Sequence, residues 1–126
     1  MKLEHVAVAS NSEKDADRFF MELLGMKKTR SLSISADLTK QFFGINKEQK
    51  IVRYSSQNLE MEVIITSDTS KARDIFTHSC LSMENSENLI NKASSMGFTV
   101  IKVPRKESNM YYLFIKDTFG NIYEIK

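Results

Sequence analysis

This sequence states one pattern twice, and that duplication constrains the fold more than any other feature. His5 stands six residues before Asn11-Ser12-Glu13, and His78 stands seven residues before Asn85-Ser86-Glu87. A helix-length segment follows each triplet and closes at a glycine, Gly25 or Gly97. Further on, "YSSQNLEMEV" (Tyr54–Val63) can be laid on "KDTFGNIYEI" (Lys116–Ile125) without a gap. Asn58 then falls on Gly120, both residues that tolerate a left-handed turn, and Glu62 falls on Glu124. Self-similarity of this kind is the mark of one supersecondary unit used twice.

Local patterns say what the unit is. "LEHVAVA" (Leu3–Ala9) is short, apolar and β-leaning, which predicts a strand. Ser12, with Asp15 three residues on, is a candidate N-cap. The helix it opens carries Ala16, Phe19, Phe20, Leu23 and Leu24 at helical spacing. Lys28–Ser35 reads as a second strand, and "ADLTKQFFGINKEQK" as a loop or a short helix. "IVRYS" (Ile51–Ser55) and "NLEMEVIIT" read as a hairpin across "SSQN". After polar "SDTSKARD" the order returns. "IFTHSCLSM" is a strand, "ENSENLINKASSMGF" a capped helix and "FTVIKVP" a strand, while "YYLFIK" and "NIYEIK" form a hairpin across "DTFG". The chain is therefore expected to be an α+β protein of two βαβββ modules, about 1–66 and 75–126, joined by a linker at 67–74.

Bulk composition excludes several functions. The 126 residues suit one compact domain. A net charge of +2, from 18 basic and 16 acidic residues, is too balanced to argue for nucleic acid or a membrane surface as partner. No apolar run is long enough to span a bilayer. "MKLEHVAVASNSEKD" lacks the sustained apolar core of a signal peptide. A single cysteine, Cys80, rules out an internal disulfide, and these features point to the reducing cytoplasm.

Against that background two strands are odd. "NLEMEVII" carries Glu60 and Glu62 in an apolar run, and "GNIYEIK" carries Glu124. Carboxylates avoid full burial unless paired or bound to a metal. The repeat puts one histidine on the first strand of each module and one glutamate on the last: His5, Glu62, His78 and Glu124. Two imidazoles and two carboxylates make a good site for a divalent first-row ion (Zn, Ni, Co, Mn or Fe), and a cation in a concave sheet would explain acids inside apolar strands. The bland alternative is that each histidine is a satisfied, half-buried side chain and each glutamate faces water. Glu60 and Glu62 share a face by two-residue alternation, and the choice of Glu62 rests on the hairpin alignment.

"LEHVAVASNSEKDADRFFMELLGM", "FTHSCLSMENSENLINKASSMGF" and "LFIKDTFGNIYEIK" together resemble the vicinal oxygen chelate superfamily. That superfamily holds glyoxalase I, methylmalonyl-CoA epimerase, extradiol dioxygenases, fosfomycin-resistance enzymes and bleomycin-resistance proteins. The last stretch is similar to a closing "DPxGNxxE" segment, with Thr118 where proline is usual. The resemblance implies paired βαβββ modules forming a cupped mixed sheet, with helices on the outer face, a divalent metal in the cup, a small-molecule substrate and a homodimer. It implies chemistry of the glyoxalase or epimerase type. A proton leaves the carbon beside a carbonyl, the ion stabilises the enediolate, and Glu124 or Glu62 serves as the base. A site of only His5, His78 and Glu124 would instead resemble the Fe(II) or Mn(II) centre of an extradiol dioxygenase. A thiol transferase of the fosfomycin-resistance kind and a non-catalytic binding protein are the other implied functions.

Other residues are weaker candidates. Cys80 shares a face with His78 but suits a core position. Tyr54, Tyr111, Tyr112 and Phe114 could wall a pocket or simply fill a core. Arg53, Arg105 and Lys106 could meet an anionic substrate tail, and "QFFG" (Gln41–Gly44) could form a lid or a dimer contact.

Overall fold

The computed structural model describes residues 3–67, 70–72 and 76–126. The chain divides into two compact units, Met1–Ser70 and Lys71–Lys126. Parts of the expected linker, at 68–69 and 73–74, and the start of the expected strand at Ile75 lie outside the described residues.

In the first unit the strands are β1 (Val6–Ser10), β2 (Lys27–Ile34), β3 (Gln49–Ser55) and β4 (Glu60–Ile65). They form one sheet in the order β1-β4-β3-β2. The β1/β4 pair is parallel, and the other two pairs are antiparallel. β1 starts three residues later than the sequence suggests, so His5 precedes the strand rather than sitting in it.

The first helix, α1 (Glu13–Ala16), opens at Ser12, whose hydroxyl accepts from the Asp15 amide as predicted. It then widens into a π-helical stretch, Asp17–Leu23, before Gly25 turns the chain at φ 70°. The wide turns bury Phe19, Phe20 and Leu23 together. These meet the sheet face carrying Met61, Val63, Val52 and Tyr54, all buried. Phe20 stacks on Tyr54 with ring centroids 5.0 Å apart. Polar groups close the rim: Tyr54 donates to Asp17 at 2.7 Å, and Lys28 bridges Asp17 and Glu13. The segment left open between loop and helix is α2 (Ala36–Phe43), capped by the Ser35 hydroxyl and stopped by Gly44 at φ 74°.

The second unit repeats the plan. β5 (His78–Leu81), β6 (Thr99–Pro104), β7 (Tyr111–Lys116) and β8 (Ile122–Ile125) form a sheet in the order β5-β8-β7-β6. Again only the first and last strands pair in parallel. α3 (Ser86–Ser95) is capped by Asn85, whose side chain accepts from the Asn88 amide at 3.0 Å, and Gly97 ends it at φ 84°. Its buried Leu89, Ile90 and Ala93 belong to the same core as Ile115, Tyr123 and Ile125 of the sheet. The opposite face of this sheet carries His78, Cys80, Ile122, Glu124, Phe114 and Ile101.

A candidate metal-ligand face in each unit

The turn between β7 and β8 places Glu124. Asp117 accepts on Oδ1 from the Gly120 and Asn121 amides, both at 2.9 Å, and on Oδ2 from the Asn121 side-chain amide at 2.7 Å. Gly120 passes through at φ 104°, a region hostile to side chains. Burial, outweighing these donors, pushes the Asp117 carboxyl above its ordinary value. This tight turn sets the register in which Glu124 lies between Phe114 on one side and Cys80 on the other.

On that face Glu124 Oε2 is 3.6 Å from His78 Nε2. The separation is beyond a hydrogen bond. It is close to the ~3.4 Å expected between two ligands of one tetrahedral ion. The other ring nitrogen, Nδ1, lies 2.8 Å from the Phe76 carbonyl, which can only accept. Nδ1 is then the donor, and in the neutral ring Nε2 offers a lone pair toward Glu124. A carbonyl behind a histidine is a usual way of orienting a metal-ligating ring. Lys126 approaches Glu124 Oε1 at 3.5 Å. Beside the pair, Phe76, His78, Ile101, Phe114, Lys116 and Ile122 line a concavity of about 350 Å³. His78 and Glu124 are thus two donors of the kinds a divalent cation accepts, with the Lys126 ammonium beside the carboxylate.

The first unit repeats the register but not the surroundings. Glu62 pairs with Ala7, two residues after His5, as Glu124 pairs with Cys80, two residues after His78. Glu62, rather than Glu60, is thus the counterpart of Glu124. Yet Glu62 lies directly across from Arg53, which donates to its Oε2 from Nε at 3.1 Å and from a terminal nitrogen at 2.9 Å. Arg53 also comes within 3.8 Å of Glu60. As the protein stands, Glu62 is engaged by a guanidinium rather than turned to an open ligand position. His5 is exposed. Within neither unit do three His, Cys, Asp or Glu side chains gather closely enough to hold an ion, among the described residues.

Of the predicted set, then, His78 and Glu124 are brought together, while His5 and Glu62 share a register and Glu62 takes Arg53 as partner. Cys80 is exposed and sits beside Glu124 instead of filling the core. Tyr54 is a core residue and walls no pocket. The roles of Asp117, Asn121 and Arg53 escaped the sequence reading. A signal existed for the first two. D-x-x-G-N is an Asx-type turn. The hairpin turns at Ser56–Leu59, with Ser55 opposite Glu60 and so Arg53 opposite Glu62, one residue beyond the "SSQN" turn read from the sequence, which would have set Arg53 opposite Glu60.

The family model for the Glyoxalase/Bleomycin resistance protein/Dioxygenase superfamily matches residues 2–125, and the chain belongs to that superfamily. No curated protein matches the sequence. Among solved structures, a glyoxalase family protein from Bacillus cereus superposes with a TM-score of 0.75 at 12% identity, over 99% of this chain and 92% of that one. A glyoxalase family protein from Enterococcus faecalis gives 0.71 at 17% identity, over 98% and 95%. The fosfomycin resistance protein FosX from Listeria monocytogenes, complexed with Mn(II) and sulfate, gives 0.70 at 10% identity, over 98% and 88%. At such identities the likeness is one of fold. No helix among the described residues is long and apolar enough to cross a membrane.

Proposed function

We propose that this protein is a divalent-metal-dependent enzyme of glyoxalase or epimerase type, moving a proton on the carbon next to a carbonyl of a small molecule. The observation that carries the reading is the His78–Glu124 pair, with Nε2 and Oε2 facing each other at 3.6 Å and the ring held from behind by the Phe76 carbonyl. The ligands in this reading are His5, His78, Glu124 and Glu62. A bound ion (Zn, Ni, Co, Mn or Fe) would supply Lewis acidity to a substrate oxygen. Ile101, Phe114 and Ile122 give the concavity beside His78 an apolar wall against which the apolar part of a substrate would pack. Proton transfer falls to Glu62 or Glu124, and Arg53 fixes the orientation of the Glu62 carboxylate. The FosX structure with Mn(II) is consistent with a metal in this fold. The reading includes a homodimer in the cytoplasm.

The Arg53–Glu62 ion pair favours a second reading. If Arg53 keeps Glu62, the ligand set shrinks to His5, His78 and Glu124, two histidines and one carboxylate. That set is the pattern of an Fe(II) or Mn(II) dioxygenase. Metal content of the untagged protein, measured by mass spectrometry, tests both readings. Close to one ion per chain is expected in the wild type, with loss in His78→Ala and Glu124→Ala. Glu62→Gln separates four ligands from three: retention of the ion there selects the second reading. A wild type that takes up none of the five metals would sink both and leave a metal-free binding protein.

A further inference from the structure

Beyond the end of β6 the chain turns through Arg105–Ser108 and re-enters β7. The Arg105 amide donates to the Met110 carbonyl at 2.9 Å, closing the loop, and the Met110 amide donates to the Ser108 hydroxyl oxygen at 3.2 Å. This loop and the adjoining strand ends frame a concavity of about 550 Å³, lined by Val103, Arg105, Lys106, Glu107, Ser108 and Tyr112. The Arg105 guanidinium lies over the Tyr112 ring, 4.6 Å from its centroid, which fixes its plane. Its Nε is buried and has no hydrogen-bond partner among the described residues. A buried, oriented N–H with nothing to donate to is uncommon in a native protein, and an absent ligand is one ready explanation. Lys106 and the Ser108 hydroxyl offer further donors, against the single carboxylate of Glu107.

The strand register ties this concavity to the ligand face. Val103 pairs with Tyr112 and Ile101 with Phe114, while Phe114 pairs with Glu124. Tyr112 therefore sits on the Glu124 face, one strand over and two residues along. That is a Cα separation of about 8 Å by ordinary sheet spacings. Ile101, Val103 and Phe114 form an apolar floor in between.

We propose that Arg105, with Lys106 and Ser108, binds an oxyanion, phosphate or carboxylate, at the far end of the substrate. Its apolar stem crosses Val103 and Ile101 to present the reacting group at His78 and Glu124. The assignment names a substrate class, an anionic small molecule with an apolar spacer, and rests on the proposed enzyme function only for the reacting end.

The test is made on the ¹⁵N-labelled full chain with a chelator present, so metal binding plays no part. Benzyl phosphate, 3-phenylpropanoate and uncharged benzyl alcohol are titrated separately. The Arg105 Nε–H resonance is expected to move with at least one of the two oxyanions and not with the alcohol, the tighter one identifying the head group. Affinity for that oxyanion should fall by roughly fivefold or more in Arg105→Met and in Arg105→Lys, which keeps the charge but loses the fork. An unmoved Nε–H resonance, alcohol binding of equal strength, or a smaller loss in Arg105→Met overturns the proposal. Should a variant fail to fold, the wild-type Nε–H shift decides alone. Failure here with metal bound at His78 and Glu124 refutes the oxyanion site alone, whereas oxyanion binding without metal uptake refutes the enzyme reading alone.

Discussion

Tyr54→Ala is expected to lower the free energy of unfolding by about 4 kcal/mol, the largest loss foreseen for any single substitution in the first unit. The ring is 0% exposed and stacked on Phe20, so its removal leaves a cavity against side chains that have no room to collapse. The hydroxyl adds a separate contribution. It donates to Asp17 at 2.7 Å, and burial together with that carboxylate pushes the phenol far above its ordinary value, so it stays a donor at every working pH. Tyr54→Phe keeps the ring and loses only this bond, at a cost of about 1.5 kcal/mol. Lys28 still holds Asp17 in that variant. Urea unfolding followed by far-ultraviolet dichroism separates the two variants. Equal losses would mean that the hydroxyl, not the packing, anchors the helix.

Asp117→Ala should cost about 3 kcal/mol in the second unit, since three N–H donors at Gly120 and Asn121 lose their acceptor together. Its pH dependence is the sharper test. Burial raises the Asp117 carboxyl above 3.8, so the folded protein holds that proton more tightly than the unfolded chain. The stability this adds is fully present below 3.8 and is lost as pH rises through the folded-state value. The gap between wild type and Asp117→Ala should accordingly widen as pH falls through that window. A gap that narrows instead would show the three donors outweighing burial. The same variant tests the placement of Glu124, because a slack turn frees the β7–β8 register. Metal uptake should weaken with it, though Asp117 touches no ligand.

Much of this architecture was legible in residues of short reach. Ser12 and Asn85 cap their helices, and Gly25 and Gly97 end them, because capping and left-handed turns depend on a few neighbouring atoms. The hairpins were legible for the same reason. Less legible were features set by packing. The π-helical widening at Asp17–Leu23 follows from seating Phe19, Phe20 and Leu23 on one sheet face, and no local propensity announces it. Of the site, the equivalence of Glu62 and Glu124 followed from the repeat, and the shared register supports it. The difference between them did not, since a repeat reports what two modules share. Arg53 faces Glu62 across the hairpin, whereas Phe114 faces Glu124 at the matching place. That difference leaves Glu62 held by a guanidinium from the facing strand, and Glu124 between the His78 imidazole and the Lys126 ammonium.

One feature of both sheets bears on how the molecule is assembled. The parallel ladder in each unit joins the strand made first to the strand made last: β1 to β4, and β5 to β8. Some forty to fifty residues must be organised before either ladder can close, so closure comes late and is slowed by chain entropy. Until then β1 and β5 have no partner on either edge and are open to pairing with another chain, and in the finished sheets each is a terminal strand with one neighbour. His78 and Glu124 stand on the two sides of such a ladder. Their approach therefore reports closure: the imidazole and the carboxylate come within 3.6 Å only in a unit whose first and last strands have paired.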